Sequence, residues 1–109
     1  MTTQNFAKQL GLKVICMPSP EKSVDGVYIG DLLSWVMGKA ESGNIWITIM
    51  SNINIVAVAA LTDVSAILLT ENVEPDSDVI KTANEKGINI LSTSLSSFES
   101  ATKIAGYIS

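Results

Sequence analysis

The segment Ser65-Ala66-Ile67-Leu68-Leu69-Thr70 places four apolar side chains in a row between two small hydroxyl residues. A strand that is apolar at consecutive positions is covered on both faces, and such strands belong to largely parallel sheets with helices on either side. The rest of the C-terminal half fits that setting. Pro75-Asp76 opens a helix over Ser77 to Lys86, with Val79, Ile80 and Ala83 inward and Gly87 as its stop. Ile88 to Leu91 reads as the next strand. Ser96-Ser97-Phe98-Glu99 is a capping box, and behind it Phe98, Ala101, Ala105 and Ile108 recur at intervals of three and four, which predicts that they face the core. Strand and helix thus alternate through short connections, the signature of βαβ units.

The N-terminal half adds further elements. Thr3 is placed to cap a helix over Gln4 to Leu10, stopped at Gly11, and Lys13 to Cys16 reads as a strand broken by Pro18 and Pro20. Val24 to Ile29 alternates with β-branched residues and is predicted as a strand. Asp31 is expected at a helix N-terminus, followed by a core-facing stripe of Leu32, Leu33, Val36 and Met37 that ends near Gly38. Asn44 to Met50 reads as a strand, and Ile53 to Leu61, with Ala57, Ala59 and Ala60, as a buried helix capped by Ser51 or Asn52. With 109 residues, 47% hydrophobic and 17% charged, the chain has the size of one core and no room for a second. The expectation is a single domain over residues 1–109: α/β, three-layer α/β/α, with a mostly parallel sheet of about five strands.

Composition removes several kinds of chemistry. All seven basic side chains are lysines, because arginine and histidine are absent. No Ser-His-Asp or Cys-His pair, histidine metal cluster or arginine clamp can therefore be assembled. Cys16 stands alone in an apolar stretch, so no internal disulfide or Cys-x-x-Cys motif exists, and a buried structural thiol is expected. A net charge of −4 opposes a polyanion, which argues against a nucleic-acid partner. Ile53 to Leu61 is far short of the roughly 20 residues of a membrane span, and Met1 to Asn5 has no signal-peptide character, so a cytoplasmic protein without membrane partner is expected. No cofactor is implied. Gly38-Lys39 imitates a P-loop only superficially, since Ala40 follows and Leu33 stands where the first glycine belongs.

In an open α/β sheet, ligands dock beyond the carboxyl ends of the strands. The residues there that could bind a small metabolite are Asp31, Ser51, Asn52, Asn54, Thr70 and Thr93. Helix capping accounts for the same residue types without any ligand. Asp31 and Glu71 could form a carboxylate pair, but no nucleophile or base accompanies them. Trp35 lies off the apolar stripe of its helix and is the side chain expected at an interface.

The run from Gly26 to Gly38, Gly26-Val27-Tyr28-Ile29-Gly30-Asp31-Leu32-Leu33-Ser34-Trp35-Val36-Met37-Gly38, together with Trp46-Ile47-Thr48 and Gly87-Ile88-Asn89-Ile90-Leu91-Ser92-Thr93, resembles the DRTGG domain family. The resemblance covers nearly the whole chain. It implies a fold like the N-terminal domain of HPr kinase/phosphorylase, and relatives that also occur beside CBS domains or in phosphotransacetylase chains. It further implies that chemistry resides elsewhere in those proteins. Of the signature letters only Thr70 is present: Ser51-Asn52 stands where Asp-Arg would, and Glu71-Asn72 where Gly-Gly would. The expected role is a non-catalytic, stand-alone regulatory or protein-interaction module. The alternative is a small-metabolite or nucleotide sensor that binds at the strand ends. A homodimer is expected, its contact including the Asp31 to Met37 helix or the strand beside it.

Overall fold

The computed structural model describes residues 1–108. The elements are α1 Thr3–Gln9, β1 Lys13–Cys16, β2 Gly26–Ile29, α2 Leu33–Lys39, β3 Asn44–Thr48, α3 Asn54–Thr62, β4 Ala66–Leu69, α4 Ser77–Lys86, β5 Ile90–Ser92 and α5 Ser97–Ala105. They build one five-stranded sheet in the order β1-β5-β4-β3-β2. β2, β3, β4 and β5 are parallel, in a register that aligns Val27 with Ile45, Ile45 with Ala66, and Ile67 with Ile90. β1 closes the far edge antiparallel to β5, with a bulge between Val14 and Cys16. The mixed, mostly parallel α/β sheet is the one read from the sequence.

The layers follow from the winding. From β2 to β5 every crossover steps to the next strand in the same direction, and crossovers share one hand, so α2, α3 and α4 fall on one face. There Val36, Ile55, Ala59, Val79 and Ala83 pack with Trp46, Ile67, Leu69 and Ile90. On the other face, Phe6 of α1, Leu10 at its C-cap and Ile104 of α5 pack on Ile45, Ile47, Leu68 and Leu91. Strand pleating divides these sets, since Ile45 and Ile47 point one way and Trp46 the other. Both faces of β4 are filled, which explains why its four residues are all apolar. Truncating a central residue such as Leu68 to alanine should cost about 2–5 kcal/mol.

Several local expectations are corrected. Thr2, not Thr3, caps α1 by accepting the Asn5 N–H at 3.2 Å. Thr3 is buried, and its hydroxyl donates to Lys22 O at 2.8 Å. The stripe expected on α2 shrinks to Val36 with partly buried Leu33, because the helix starts only at Leu33, leaving Leu32 at 63% exposure and Met37 outside. On α3 the N-cap position is Ile53, while the Asn52 Oδ1 accepts the Asn54 N–H at 2.9 Å. Ala59 is buried, whereas Ala57 and Ala60 face outward. On α5 the capping box between Ser96 and Glu99 is present. Phe98, expected inward, is 78% exposed, and Ala105 also faces out, because Ser100 and Ile104 take the core positions. The apolar spacing of Phe98 and Ala105 is real, but it is displaced around the helix from the buried face.

Candidate functional site

The chain leaves β4 toward α4 on one face and leaves β5 toward α5 on the other. The carboxyl ends of these two neighbours therefore form a topological switch point, the usual place for a ligand crevice in such sheets. Here the crevice is laced by backbone bonds. Val73 N–H donates to Thr70 O at 3.2 Å, and both residues between them, Glu71 and Asn72, have φ of 59°. That is a type I′ turn, a geometry that favours glycine at both central positions. Glu71 and Asn72 thus keep the backbone shape that a Gly-Gly pair adopts without strain. Their consecutive N–H groups resemble an anion-binding nest, but both are engaged, Glu71 N–H with Leu95 O and Asn72 N–H with Thr93 O, each at 2.9 Å.

The other strand-end residues are tied in similar ways. Thr70 is 1% exposed, and its hydroxyl lies 3.4 Å from Ser97 Oγ. The Thr93 hydroxyl accepts the Leu95 N–H at 3.2 Å. Asp31 does not cap a helix. Its Oδ1 accepts the Thr48 hydroxyl at 2.7 Å and the Ile49 N–H at 3.0 Å, which locks the end of β2 to the end of β3. Beside it the buried Trp46 donates its indole N–H to Gly30 O at 2.8 Å. Ser51 is partly buried, and Asn52 and Asn54 are exposed at the start of α3. The structure therefore brings Thr70 and Thr93 to one crevice and Asp31, Ser51, Asn52 and Asn54 to the β2 and β3 ends. Asp31 and Glu71 follow β2 and β4, with β3 between, so strand spacing alone separates them by about 10 Å.

Among the described residues no group of three or more Asp, Glu, Cys or His side chains is placed to hold a metal ion. No described helix is long and apolar enough to cross a membrane. Burial pushes the Cys16 thiol above its ordinary pKa, and Cys16 Sγ donates to Ile88 O at 3.4 Å, which marks a structural rather than a nucleophilic cysteine.

A different surface carries exposed apolar area. α3 is apolar almost all round, yet only one side packs on the sheet. Its outer side and α4 enclose a groove of about 580 Å³ lined by Ile53, Ala57, Ala60, Leu61, Thr82 and Lys86. Leu61 is 72% exposed at its rim. On neighbouring α2, Trp35 is 60% exposed, as its place off the stripe predicts, with Lys39 Nζ 5.8 Å from the ring centre. The α3 face was missed in the sequence because an all-round apolar helix ordinarily signals burial. The legible clue was the pair Ala57 and Leu61, four residues apart on the side opposite Ala59.

A mostly parallel sheet between two helical layers, with the amides after β4 engaged internally, defines an α/β/α domain. A scan against protein families matches the DRTGG domain over residues 5–107, and the chain belongs to the DRTGG domain family. No curated protein matches the chain. Among solved structures it is similar to the CBS and DRTGG domains of the regulatory region of Clostridium perfringens pyrophosphatase, complexed with the activator diadenosine tetraphosphate. That likeness has a TM-score of 0.72 at 19% identity and covers 95% of this chain and 46% of the other. This chain thus spans less than half of that regulatory region.

Proposed function

We infer that this DRTGG domain is a non-catalytic regulatory module that works in the cytoplasm by binding a protein, with the outer face of α3 as its contact. One observation carries the reading: Ile53, Ala57, Ala60 and Leu61 form an apolar groove of about 580 Å³, while the amides of Glu71 and Asn72 and the side chains of Asp31, Thr70 and Thr93 are engaged within the chain. Contiguous exposed apolar surface on a monomer marks an interaction site. The family supports a regulatory role, and the absence of histidine and arginine argues against catalysis. Leu61→Asp should abolish partner capture while leaving the thermal midpoint nearly unchanged, because Leu61 contributes little to the core. Retained capture by this variant overturns the assignment of the face.

The activator held by the pyrophosphatase regulatory region favours a second reading, a nucleotide or small-metabolite sensor. In this chain it would use Asp31, Ser51, Asn52, Asn54, Thr70 and Thr93. That regulatory region also contains CBS domains, so the activator need not be a ligand of the DRTGG part. Thermal shift against adenine nucleotides and diadenosine tetraphosphate separates the readings, since a ligand bound only by the native state raises stability by RT ln(1 + [L]/Kd). The interaction-module reading expects no saturable shift. A saturable shift, removed by Asn52→Ala, replaces it with the sensor.

A further inference from the structure

The strand order leaves β1 and β2 at the two edges of the sheet, and the two edges are built differently. β1 carries Lys13, a bulge between Val14 and Cys16, and packing from α4. These are the devices that stop an edge from pairing with another chain. β2 has none of them. Gly26-Val27-Tyr28-Ile29 contains no lysine and no proline, and it runs in unbroken register with β3.

We propose that β2 pairs with β2 of a second copy, antiparallel about a two-fold axis at Tyr28, and joins the two sheets into one of ten strands. The backbone states what kind of occupant fits. Gly30 N–H is turned toward β3 and donates to Ile47 O at 3.1 Å, so the alternation along the strand turns the amide groups of Val27 and Ile29 outward. An outward row of unpaired N–H and C=O groups is completed by a strand.

The side chains state why that strand is a second copy. A two-fold perpendicular to the sheet keeps each face on its own side, so residues facing one another must share a face. With the axis at Tyr28, Val27 faces Ile29 of the copy, Gly26 faces Gly30, and the outward amides of Val27 and Ile29 meet as hydrogen-bonded pairs. β2 itself carries no charge, and just beyond it Asp25 comes opposite Asp31 of the copy, whose Oδ1 already accepts the Thr48 hydroxyl and the Ile49 N–H. Moving the axis to Val27 sets the outward amide of Ile29 against Asp25, whose N–H is turned away to Gly43 O at 2.8 Å, so the register about Tyr28 is the one that pairs both outward amides. Beside the edge, Ile29, Ala101, Ala105 and Ile108 line an apolar groove of about 470 Å³ between β2 and α5. The Val27 and Ile29 side chains of the copy extend over that groove, and Ala101 and Ala105 are small enough to admit them. The contact lies away from the α3 groove, so it goes beyond the protein-binding reading and stands or falls separately.

Sedimentation of the full chain at about 100 μM tests it, a concentration at which a complex of 10 μM Kd is mostly dimer. The wild type should sediment as a dimer, and Val27→Pro as a monomer with unchanged circular dichroism. The lost N–H points away from β3, where an edge strand tolerates proline. Ile29→Lys should give the same result should Val27→Pro fail to fold. In a Cys16→Ala background, Tyr28→Cys should form a disulfide-linked dimer on oxidation, because the two Cβ atoms meet across the axis in a non-hydrogen-bonded pair. A monomeric wild type, a dimeric Ile29→Lys, or a dimer whose Tyr28→Cys form does not cross-link each overturns the proposal. Leu61→Asp should leave the dimer intact, which keeps this result distinct from the fate of the α3 surface.

Discussion

Replacing Glu71 with glycine should stabilise this domain, against the ordinary expectation that glycine weakens a fold. Glu71 is held at φ 59°, and a left-handed conformation costs an L-residue about 1–2 kcal/mol. Glycine removes that cost but brings greater freedom to the unfolded chain, which offsets about 0.5–1 kcal/mol. Glu71 is exposed, and among the described residues its side chain makes no hydrogen bond, so its loss adds nothing to the other side. The net gain is about 0.5–1 kcal/mol, or about 2–8 °C in Tm for a domain of this size. Asn72→Gly should gain less, because asparagine tolerates the left-handed region, and Glu71→Val should lower Tm. Differential scanning calorimetry of the three variants reads these effects. A Tm for Glu71→Gly below that of the wild type would refute the reasoning, because it would mean that the turn is not held against the preference of its residue. The Glu71→Gly, Asn72→Gly double variant also restores Thr-Gly-Gly at residues 70–72, so the same measurement asks whether those glycines act through backbone shape.

Asp31→Ala removes the acceptor of the Thr48 hydroxyl and the Ile49 N–H and should cost about 1–3 kcal/mol in urea unfolding; a loss under about 0.5 kcal/mol would show that water replaces it. Ser100 Oγ is the buried side-chain polar atom without a partner among the described residues, so Ser100→Ala should stabilise α5 by about 1 kcal/mol, and a lower urea midpoint contradicts this. The Lys22 ammonium, 2.7 Å from Asp63 Oδ1, and then the Ser42 hydroxyl hold the Asp63 carboxyl below its usual range. A lowered carboxyl contributes stability that is present above the unfolded range and is lost as pH falls through the folded value. Asp63→Asn should therefore flatten the acid limb of a stability-against-pH curve and leave its alkaline limb alone, while an unchanged acid limb argues that solvent screens the pair.

The strands and α4 were legible because their burial has one cause each. β4 is apolar at four consecutive positions since both faces are covered, and α4 has a proline before it and Gly87 at φ 75° after it. Amphipathic faces were harder to read. Phe98 is large and apolar, so periodicity drew it inward, yet the helix turns Ser100 and Ile104 to the sheet and leaves the ring in solvent. On α2 the same rule overcounted, because Leu32 precedes the helix and its direction follows the β2–α2 loop. The candidate site was legible in place and not in state. The topological rule located Asp31, Thr70 and Thr93 at strand ends, but no local pattern shows that Asp31 bonds Thr48 or that the amides after Thr70 meet Leu95 and Thr93. Those are tertiary pairings.

The antiparallel edge bears on the birth of the chain. β2, β3, β4 and β5 each neighbour the strand made just before or after them, so a growing chain can add them in sequence. β1 is the exception. Lys13 pairs with Ser92, which is made 79 residues later. At about 5–20 residues per second this is a wait of roughly 4–16 seconds, during which Val14-Ile15-Cys16 has no sheet to join. Lys13 on one side and Pro18 and Pro20 on the other are the kinds of residue that keep a waiting apolar segment from finding the wrong partner. Of the five strands, the one made first is the last to find its place.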